Sequence, residues 1–284
     1  MTEPAQHAES VAAPAAGQGD VMCVGSMFTG IGGLDLGLER AGFRIRWQAE
    51  IDRYACRVLA KHWPDTPNIG DVKRIDWEND GLDYGDGIAR SLHVDVVAAG
   101  FPCQPVSQVG KRAEREDPRW LWPEVVRCVR DLRPRYVLLE NVAGLLTLGF
   151  GTVLADLAAL GFDAEWSVLS ACALGAPHAR ERLFVVAHRD GERLEEQRRA
   201  GAVHQGRLVR WEQPEQSGWW TVEPDVGRMV DGFPGRVDRL RGLGNAVVPQ
   251  VAELVGRRLL AIEDERQRLL ADPQLCCDMG AAHA

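Results

Sequence analysis

The sequence predicts an α/β protein with a mostly parallel sheet and helices on both of its faces. From residue 21 onwards, short apolar runs alternate with amphipathic stretches, which is the pattern of strands connected by crossover helices. The chain has 284 residues, of which 45% are hydrophobic, so it is long enough for one complete core and a small accessory region. A glycine-rich turn at 30–33 lies between the first predicted strand and the first predicted helix.

Five apolar runs are predicted as strands, and they are Val21–Met27, Arg44–Ala49, Val94–Ala99, Tyr136–Leu139 and Leu183–Ala187. Four amphipathic stretches are predicted as helices, and they are Leu34–Ala41, Tyr54–His62, Leu121–Leu132 and Val153–Leu160. A further apolar helix is expected to begin near Pro249. Because ligands bind beyond the carboxyl ends of the strands in such sheets, we expect the functional residues to follow the strands.

Composition divides the chain into a main domain, a small inserted region and two tails. Residues 1–20 are rich in Ala, Pro, Gln and Gly and lack the features of a signal peptide, so they are predicted to be a disordered tail. The main domain is predicted at 21–188, the small region at 189–236, a return to the main domain at 237–266 and a second tail at 267–284. In the small region, Trp211, Trp219 and Trp220 are interpreted as core residues, with base stacking as the alternative.

Composition and charge argue against several classes of protein. No stretch approaches the roughly 18 consecutive apolar residues of a membrane span, so we expect a soluble, cytoplasmic protein. The net charge of -8 argues against binding nucleic acid by bulk attraction, although a local basic cleft is compatible with it. The seven cysteines include no CxxC pair, which argues against a disulfide framework and a zinc site, and we expect no metal. We interpret Cys23, Cys56, Cys128 and Cys172 as small buried hydrophobic residues.

The glycine turn and two acidic residues predict a site for an adenosine-containing cofactor. Glycines at a strand-to-helix junction let a ligand approach the backbone closely, although a nicotinamide or flavin site, or a simple tight turn, has the same pattern. Glu50 closes the next strand about 20 residues later, where a carboxylate accepts hydrogen bonds from ribose hydroxyls. Asp71 follows Ile69 and Gly70 at the end of a predicted third strand, where it is suited to accept a hydrogen bond from the adenine amino group.

Three further segments place reactive side chains at the same edge of the predicted sheet. Cys103 follows the strand Val94–Ala99 in a loop constrained by two prolines, unlike a core cysteine, which would lie inside the strand. Glu140 closes another apolar strand. Arg180 and Arg182 are two residues apart just before a strand, so both are expected to point the same way, with a solvated surface pair as the alternative.

In this order, the segments resemble those of the cytosine-5 DNA methyltransferase family of bacteria and phages. The glycine turn, Glu50 and Asp71 resemble its cofactor contacts, and Pro102-Cys103 resembles its catalytic dipeptide. The resemblance continues through an acid motif, an arginine element and a closing motif, which are matched by Glu140-Asn141-Val142, by Arg180 with Arg182, and by Gly244-Asn245-Ala246-Val247-Val248-Pro249. It spans about residues 21 to 260.

The resemblance implies a Rossmann-like, S-adenosylmethionine-dependent methyltransferase fold, with 21–188 as the catalytic and cofactor-binding domain and 189–236 as a small target-recognition region. It implies S-adenosyl-L-methionine as the cofactor and double-stranded DNA as the partner, without a membrane. A restriction endonuclease of the same system is a candidate partner, and a monomer is expected. The implied cofactor contacts are Phe28, Thr29, Gly30, Gly32, Gly33, Leu34, Glu50, Ile51, Asp71, Val72, Gly100, Pro102, Leu121, Asn245 and Ala246.

The resemblance also implies a covalent mechanism with Cys103, Glu140, Arg180 and Arg182 as the catalytic residues. Cytosine C5 is a poor nucleophile, and addition of a thiolate at C6 makes it reactive towards a sulfonium methyl group. Cys103 is therefore the expected nucleophile on a cytosine flipped out of the duplex. Glu140 is expected to stabilise or protonate ring N3, and the two arginines to hold the carbonyl side of the base.

Two departures from the family pattern and three alternative functions stand beside this hypothesis. His178 occupies the position where the family usually has glutamine, and the region that reads the DNA sequence is short. The alternatives are an RNA methyltransferase on the same scaffold, a DNA-binding regulator without activity, and a nicotinamide oxidoreductase. The sequence has no Asp-Pro-Pro-Tyr-like segment, which disfavours methylation of an exocyclic amino group.

Overall fold

The structure is a computed structural model that describes residues 21–82, 90–102, 119–147, 149–189, 207–208 and 236–271. The predicted amino-terminal tail, most of the predicted carboxyl-terminal tail, Cys103 and the three tryptophans Trp211, Trp219 and Trp220 lie outside the described residues.

The described residues form nine strands and six α-helices. The strands are β1 Cys23–Met27, β2 Arg44–Ala49, β3 Gly81–Leu82, β4 Arg90–Ser91, β5 Val96–Ala99, β6 Tyr136–Asn141, β7 Asp163–Ser170, β8 Glu181–His188 and β9 Arg207–Leu208. The helices are α1 Gly33–Ala41, α2 Arg53–His62, α3 Trp122–Leu132, α4 Phe150–Ala159, α5 Arg236–Asn245 and α6 Pro249–Ala271. Short 3-10 turns cover Val72–Arg74, Ala143–Thr147 and Ala171–Leu174.

Seven strands form one sheet in the order β2-β1-β5-β6-β8-β7-β9, while β3 and β4 pair separately. The run from β2 through β1 and β5 to β6 is parallel, whereas β8 is antiparallel to both of its neighbours. The carboxyl ends of four strands therefore meet at one edge, and the amino end of β8 reaches the same edge. The predicted α/β fold with a mostly parallel sheet is confirmed.

A hydrophobic core lies on each face of the sheet. On one face α1 packs against α6 at close range because glycines stand at the contact. A Cβ atom on Gly37 would lie 2.4 Å from the Cβ of Ala252, and one on Gly256 would lie 2.8 Å from the Cβ of Ala41.

Helix α6 begins at Pro249, as the sequence predicts, and it continues to Ala271, beyond the predicted boundary at residue 266.

Two strand predictions differ from the structure. The predicted third strand before Asp71 is wrong, because only an isolated bridge joins Asn68 to Gln48 and Gly70 then turns the chain with a φ of +80°. The 3-10 turn that follows begins directly after Asp71. In addition, β7 is absent from the predicted strands, since acidic and hydroxyl residues interrupt its apolar pattern.

The cysteine prediction holds only for the residues that lie inside the strands and helices of the core. Cys23 and Cys128 are buried, but Cys56 is half-buried and Cys172 is exposed, so burial was wrongly expected for Cys172. Cys172 lies in the 3-10 turn that leaves the sheet after β7, outside both cores. Among the described residues, no helix combines the length and the apolar character needed to cross a membrane.

Candidate active site

The carboxyl ends of the parallel strands open into a cleft of about 540 Å³. Thirteen of the predicted cofactor residues line it, and they are Phe28, Thr29, Gly30, Leu34, Glu50, Ile51, Asp71, Val72, Gly100, Pro102, Leu121, Asn245 and Ala246. Glu140 and Arg182 line the same cleft. Residues that follow different strands are therefore brought together at one site, as expected for a sheet of this kind.

Gly32 and Gly33 are absent from the cleft wall and serve packing instead. A Cβ atom on Gly32 would lie 2.4 Å from the indole of Trp63, and one on Gly33 would lie 2.3 Å from the carbonyl oxygen of Val247. Gly30 and Gly32 both have a left-handed backbone, with φ of +58° and +83°, but only Gly30 has no atom near its Cβ position. In this turn Gly30 faces the open cleft, and the next two glycines hold the turn against its neighbours.

The carboxylate of Glu50 connects the glycine turn to the start of α2. Its Oε2 accepts a hydrogen bond of 2.7 Å from the backbone N–H of Gly30. Its Oε1 accepts from the backbone N–H groups of Ile51 and Asp52 at 2.8 and 2.7 Å. This acid is fixed in position by three backbone donors before any ligand enters.

Asn68 is a site residue that the sequence reasoning missed. Its Oδ1 accepts from the backbone N–H groups of Glu50 and Gly70, at 3.0 and 3.1 Å, and its Nδ2 donates to the carbonyl of Glu50 at 3.1 Å. One amide side chain thus links the backbone of Glu50 to that of Gly70, the residue before Asp71. The sequence gives no signal for this, since an asparagine in a loop usually serves its own turn.

A buried polar cluster lies beneath the glycine turn. The carboxylate of Asp35 accepts from the hydroxyl of Ser26 at 2.6 Å and from the amide of Gln48 at 2.7 Å. Thr29, which lines the cleft, donates to the carbonyl and to the hydroxyl of Ser26. Burial raises the pKa of Asp35 to about 6, against the opposing effect of the two hydrogen bonds. The cluster joins β1, α1 and β2 under the turn that faces the cleft.

Glu140 and Arg182 form an ion pair in the cleft, with Nε of Arg182 3.0 Å from Oε1 of Glu140. Glu140 lies directly opposite Phe184 in the β6–β8 ladder, so Arg182 is its diagonal neighbour on the same face of the sheet. Burial raises the pKa of Glu140, while the positive charges of Arg182 and Arg180 act to lower it. A carboxyl group held in this way is suited to donate or share a proton with a bound base.

Arg180 occupies a different position from Arg182. Its guanidinium donates to the backbone carbonyl of Gly244, at 2.7 Å, and to that of Ala246. Arg180 does not line the cleft, whereas Ala246 does. Both arginines act electrostatically on Glu140, but only Arg182 lines the cleft, while Arg180 is held by the end of α5 and the residue that follows it.

The segment that leads into Cys103 is held against Glu140 and its neighbour. A Cβ atom on Gly100 would lie 3.2 Å from Oε2 of Glu140, so the backbone approaches the carboxyl group closely. The side-chain amide of Asn141 donates to the carbonyl of Phe101 at 3.0 Å. Pro102 then lines the cleft, and Cys103, the next residue in the sequence, lies outside the described residues.

The family model described as C-5 cytosine-specific DNA methylase matches residues 22–225 of this chain. The chain is 38% identical over 163 residues to the Type II methyltransferase M.NgoMIV of Neisseria gonorrhoeae, covering 56% of this chain and 49% of that protein. It is 36% identical over 178 residues to the Type II methyltransferase M.Eco47II of Escherichia coli, covering 60% of this chain and 40% of that protein. It is 33% identical over 181 residues to the Type II methyltransferase M.AquIA of Picosynechococcus, covering 59% of this chain and 72% of that protein.

The chain thus spans about half the length of the first two of these relatives. A solved structure of the Entamoeba histolytica methyltransferase EhMeth has the same fold, with a TM-score of 0.50 at 19% sequence identity over 70% of this chain and 58% of that one. The matched family model covers more than half of the chain and includes β1 to β8 with the whole series of strand-end residues. The chain therefore belongs to the C-5 cytosine-specific DNA methylase family.

Proposed function

We propose that this chain is a DNA (cytosine-5)-methyltransferase that modifies a cytosine flipped out of the duplex, with Cys103 as the covalent nucleophile. The observation that carries the proposal is the buried ion pair of Glu140 and Arg182, which lies in the cleft beside the backbone of Gly100. An acid of raised pKa next to the segment that precedes a cysteine is what cytosine activation requires. Membership of the family supports the same chemistry.

The cleft fits S-adenosyl-L-methionine as the cofactor. Glu50 and Asp71 supply carboxylate acceptors for hydroxyl and amino groups, and Gly30 leaves the backbone of the turn open to a ligand. The exposed side chain of Ile51 offers an apolar contact for a purine ring. When bound, this cofactor supplies an electrophilic methyl group on a sulfonium sulfur.

The residues of the chain then act on the base. The thiolate of Cys103 adds to C6, forming a carbon–sulfur bond and moving the electron pair of the 5,6 double bond to C5. Glu140 holds or donates a proton at N3, which neutralises the charge that the addition places on the ring. Arg182 fixes Glu140 and holds the carbonyl side of the base. After C5 is methylated, N3 returns its proton to Glu140 and the C5 proton is lost to solvent water. The C5–H electron pair restores the 5,6 double bond as the carbon–sulfur bond breaks, and Cys103 leaves as the thiolate.

Double-stranded DNA is the proposed acceptor, and the Type II names of the relatives support it. A restriction endonuclease that cuts the same sequence is the proposed partner of the system. We place the activity in the cytoplasm, where bacterial DNA lies, and assign it to a monomer because one chain supplies both the cofactor acids and the ion pair.

The test replaces Cys103 and compares the result with another cysteine. A Cys103→Ser variant is expected to bind S-adenosylhomocysteine but to transfer no methyl group, and to form no denaturant-stable adduct with duplex DNA containing 5-fluorocytosine. A Cys172→Ser variant, which replaces an exposed cysteine in a 3-10 turn, is expected to behave like the parent. Normal methylation by Cys103→Ser contradicts the proposal, and a preference for transfer RNA over duplex DNA would replace the proposed acceptor.

A further inference from the structure

Arg127 on α3 holds the segment that follows Asp71. Its Nη1 donates to the carbonyl of Ile75 at 2.6 Å, and its Nη2 donates to the carbonyl of Val72 at 2.5 Å. These two carbonyls belong to the first residue of a 3-10 turn and to the residue that follows the turn. One guanidinium group therefore fixes the turn from both sides, which the two-pronged geometry of arginine allows and a lysine ammonium does not.

The guanidinium itself is fixed by two neighbours. The carboxylate of Glu124, one helical turn earlier in α3, accepts from Nε and Nη2 of Arg127 at 3.0 and 2.9 Å. The same guanidinium lies over the ring of Trp77, 5.8 Å from its centroid, in a cation–π contact. The Arg127 side chain is 28% exposed, so it is oriented by the protein rather than by solvent.

The turn that Arg127 holds carries part of the cofactor cleft. Asp71 and Val72 both line the cleft, and Asp71 caps the turn by accepting from the backbone N–H of Lys73. The amino end of the segment is held separately, through the bond from Gly70 to Asn68. On the carboxyl side of Asp71, Arg127 holds the carbonyls of Val72 and Ile75, whose side chains are also packed in the core. Arg74 adds an exposed ion pair with the carboxylate of Asp71 at 3.7 Å.

We propose that Arg127 is a positioning residue that makes the cleft selective for adenine over other purines, by holding Asp71 where its carboxylate accepts from the exocyclic amino group. The inference rests on the proposed function, in which Asp71 contacts the adenine of the cofactor. A hydrogen-bond acceptor discriminates strongly only when it is held in place, because a mobile carboxylate adapts to either ligand. Loosening the turn is therefore expected to weaken the binding of adenosyl ligands and to leave the binding of other purines nearly unchanged.

The experiment measures binding by calorimetry with two probes, S-adenosylhomocysteine and S-inosylhomocysteine, in which a carbonyl replaces the adenine amino group. The parent is expected to prefer the adenosyl probe by about 100-fold, because the inosyl probe sets a carbonyl oxygen against the carboxylate of Asp71. In Arg127→Lys this preference is expected to fall by about tenfold, which is ~1.4 kcal/mol of discrimination. The loss should appear in the affinity for the adenosyl probe, with the inosyl probe bound nearly as before.

Arg258→Lys is the matched control. Arg258 makes a two-pronged contact of similar exposure, with Nε and Nη2 each 2.8 Å from an oxygen of Glu165, but it joins α6 to β7 outside the cleft wall. Arg258→Lys is expected to lose stability and to keep the parent's preference for the adenosyl probe over the inosyl probe. Thermal unfolding of all three proteins reports whether the lysine variants are folded, and Arg127→Gln repeats the test if Arg127→Lys is not.

Equal weakening of both probes in Arg127→Lys overturns the inference, because it shows a purely structural role for Arg127. Unchanged affinity for both probes overturns it as well. Failure of the proposed function would look different. A parent protein that binds neither probe would contradict the cofactor site, and a parent protein that forms no adduct through Cys103 would contradict the nucleophile.

Discussion

Nε of Arg182 lies 3.0 Å from Oε1 of Glu140, and both side chains are largely shielded from water, with exposures of 19% and 10%. Two opposite charges at this distance compensate each other only while both are present. The antiparallel pairing of β6 and β8 brings them together, because the long arginine side chain reaches its diagonal neighbour across the ladder. The proposed catalytic pair is therefore also a place where the loss of one partner costs stability.

Arg182→Met keeps an unbranched apolar stem and removes the charge. The rate of methyl transfer is expected to fall at least ~100-fold, because a charged donor beside the reacting base is lost. The free energy of unfolding is expected to fall by about 3–5 kcal/mol, since the buried carboxylate of Glu140 loses its ion-pair partner and keeps only the more distant charge of Arg180. Single-turnover transfer from labelled cofactor and urea unfolding measure the two effects.

The double variant Glu140→Gln with Arg182→Met separates stability from catalysis. It removes both charges, so most of the stability lost in Arg182→Met is expected to return, while methyl transfer stays absent. A rate equal to that of the parent in Arg182→Met contradicts the role assigned to Arg182.

Asp35 predicts a fall in stability with rising pH. Its pKa is raised by burial from 3.8 to about 6, so between these values the folded protein keeps a proton that the unfolded chain has lost. The contribution of Asp35 to the free energy of unfolding is therefore fully present below pH 3.8. It declines as the pH rises and levels off above about pH 6. The total decline is about 3 kcal/mol. Urea unfolding at pH values from about two units below 3.8 to about one unit above 6 measures it.

Asp35→Asn is the control, because it cannot titrate and keeps an acceptor for Ser26 or Gln48. Subtracting its pH profile from that of the parent isolates the contribution of Asp35. A difference that does not change with pH over this range would show that Asp35 titrates alike in the folded and unfolded states.

The placement of the strand-end acids was predictable from the sequence, and the placement of Asp71 was only partly so. Apolar runs locate the strands, and parallel strands bring their carboxyl ends together, so Glu50 and Glu140 meet in one cleft. Asp71 reaches the same cleft by another route, because Gly70 turns the chain before it and no strand precedes it. The position was right although its predicted cause was wrong.

Contacts between distant segments were beyond the reach of sequence patterns. Arg180 donates to carbonyls more than sixty residues away, and no periodicity reports which backbone oxygens a guanidinium will find. Arg127 lies on an amphipathic helix, where an arginine is usually read as part of the solvated face. Both side chains are defined by tertiary packing, which forms only after the elements themselves.

The contact between Gly33 and Val247 predicts a specific weakening of the cofactor site. In Gly33→Ala the new Cβ atom would lie 2.3 Å from the carbonyl oxygen of Val247, so the segment behind α5 must move. Because Val247 and Ala246 line the cleft, the affinity for S-adenosylhomocysteine is expected to fall together with the stability. Calorimetry and urea unfolding of the same preparation measure the two quantities.

Gly37→Ala provides the matched comparison. Its Cβ atom would lie 2.4 Å from that of Ala252, at the contact of α1 with α6 and away from the cleft wall. Overpacking is expected to lower the free energy of unfolding by about 1–3 kcal/mol in both variants. Only Gly33→Ala should bind the cofactor product more weakly, and equal affinities in the two variants would contradict the docking of Val247 on the glycine turn.

A hydrogen bond at the end of the sheet opposite the cleft is expected to contribute to stability but not to activity. The hydroxyl of Tyr136 donates to Oε2 of Glu263 at 2.5 Å, which joins the start of β6 to α6. Burial alone would raise the pKa of Glu263, but hydrogen bonds from Tyr136 and Gln267 and the charges of Arg135 and Arg266 lower it. The stabilisation from Glu263 is therefore present at neutral pH and is lost as the pH falls through its lowered pKa, opposite in sign to the effect of Asp35.

Tyr136→Phe removes the buried hydroxyl and leaves the ring in place. The free energy of unfolding at pH 7 is expected to fall by about 1–2 kcal/mol, because a hydrogen bond to a charged acceptor is lost. The pKa of Glu263 should rise towards its ordinary value, so the difference in stability between the parent and the variant shrinks at acidic pH as the carboxyl group is protonated. Methyl transfer should be unchanged, because the full length of β6 separates Tyr136 from the cleft. A constant difference from pH 7 down to pH 3 would show that the hydroxyl stabilises the protein through packing rather than through the charge of Glu263.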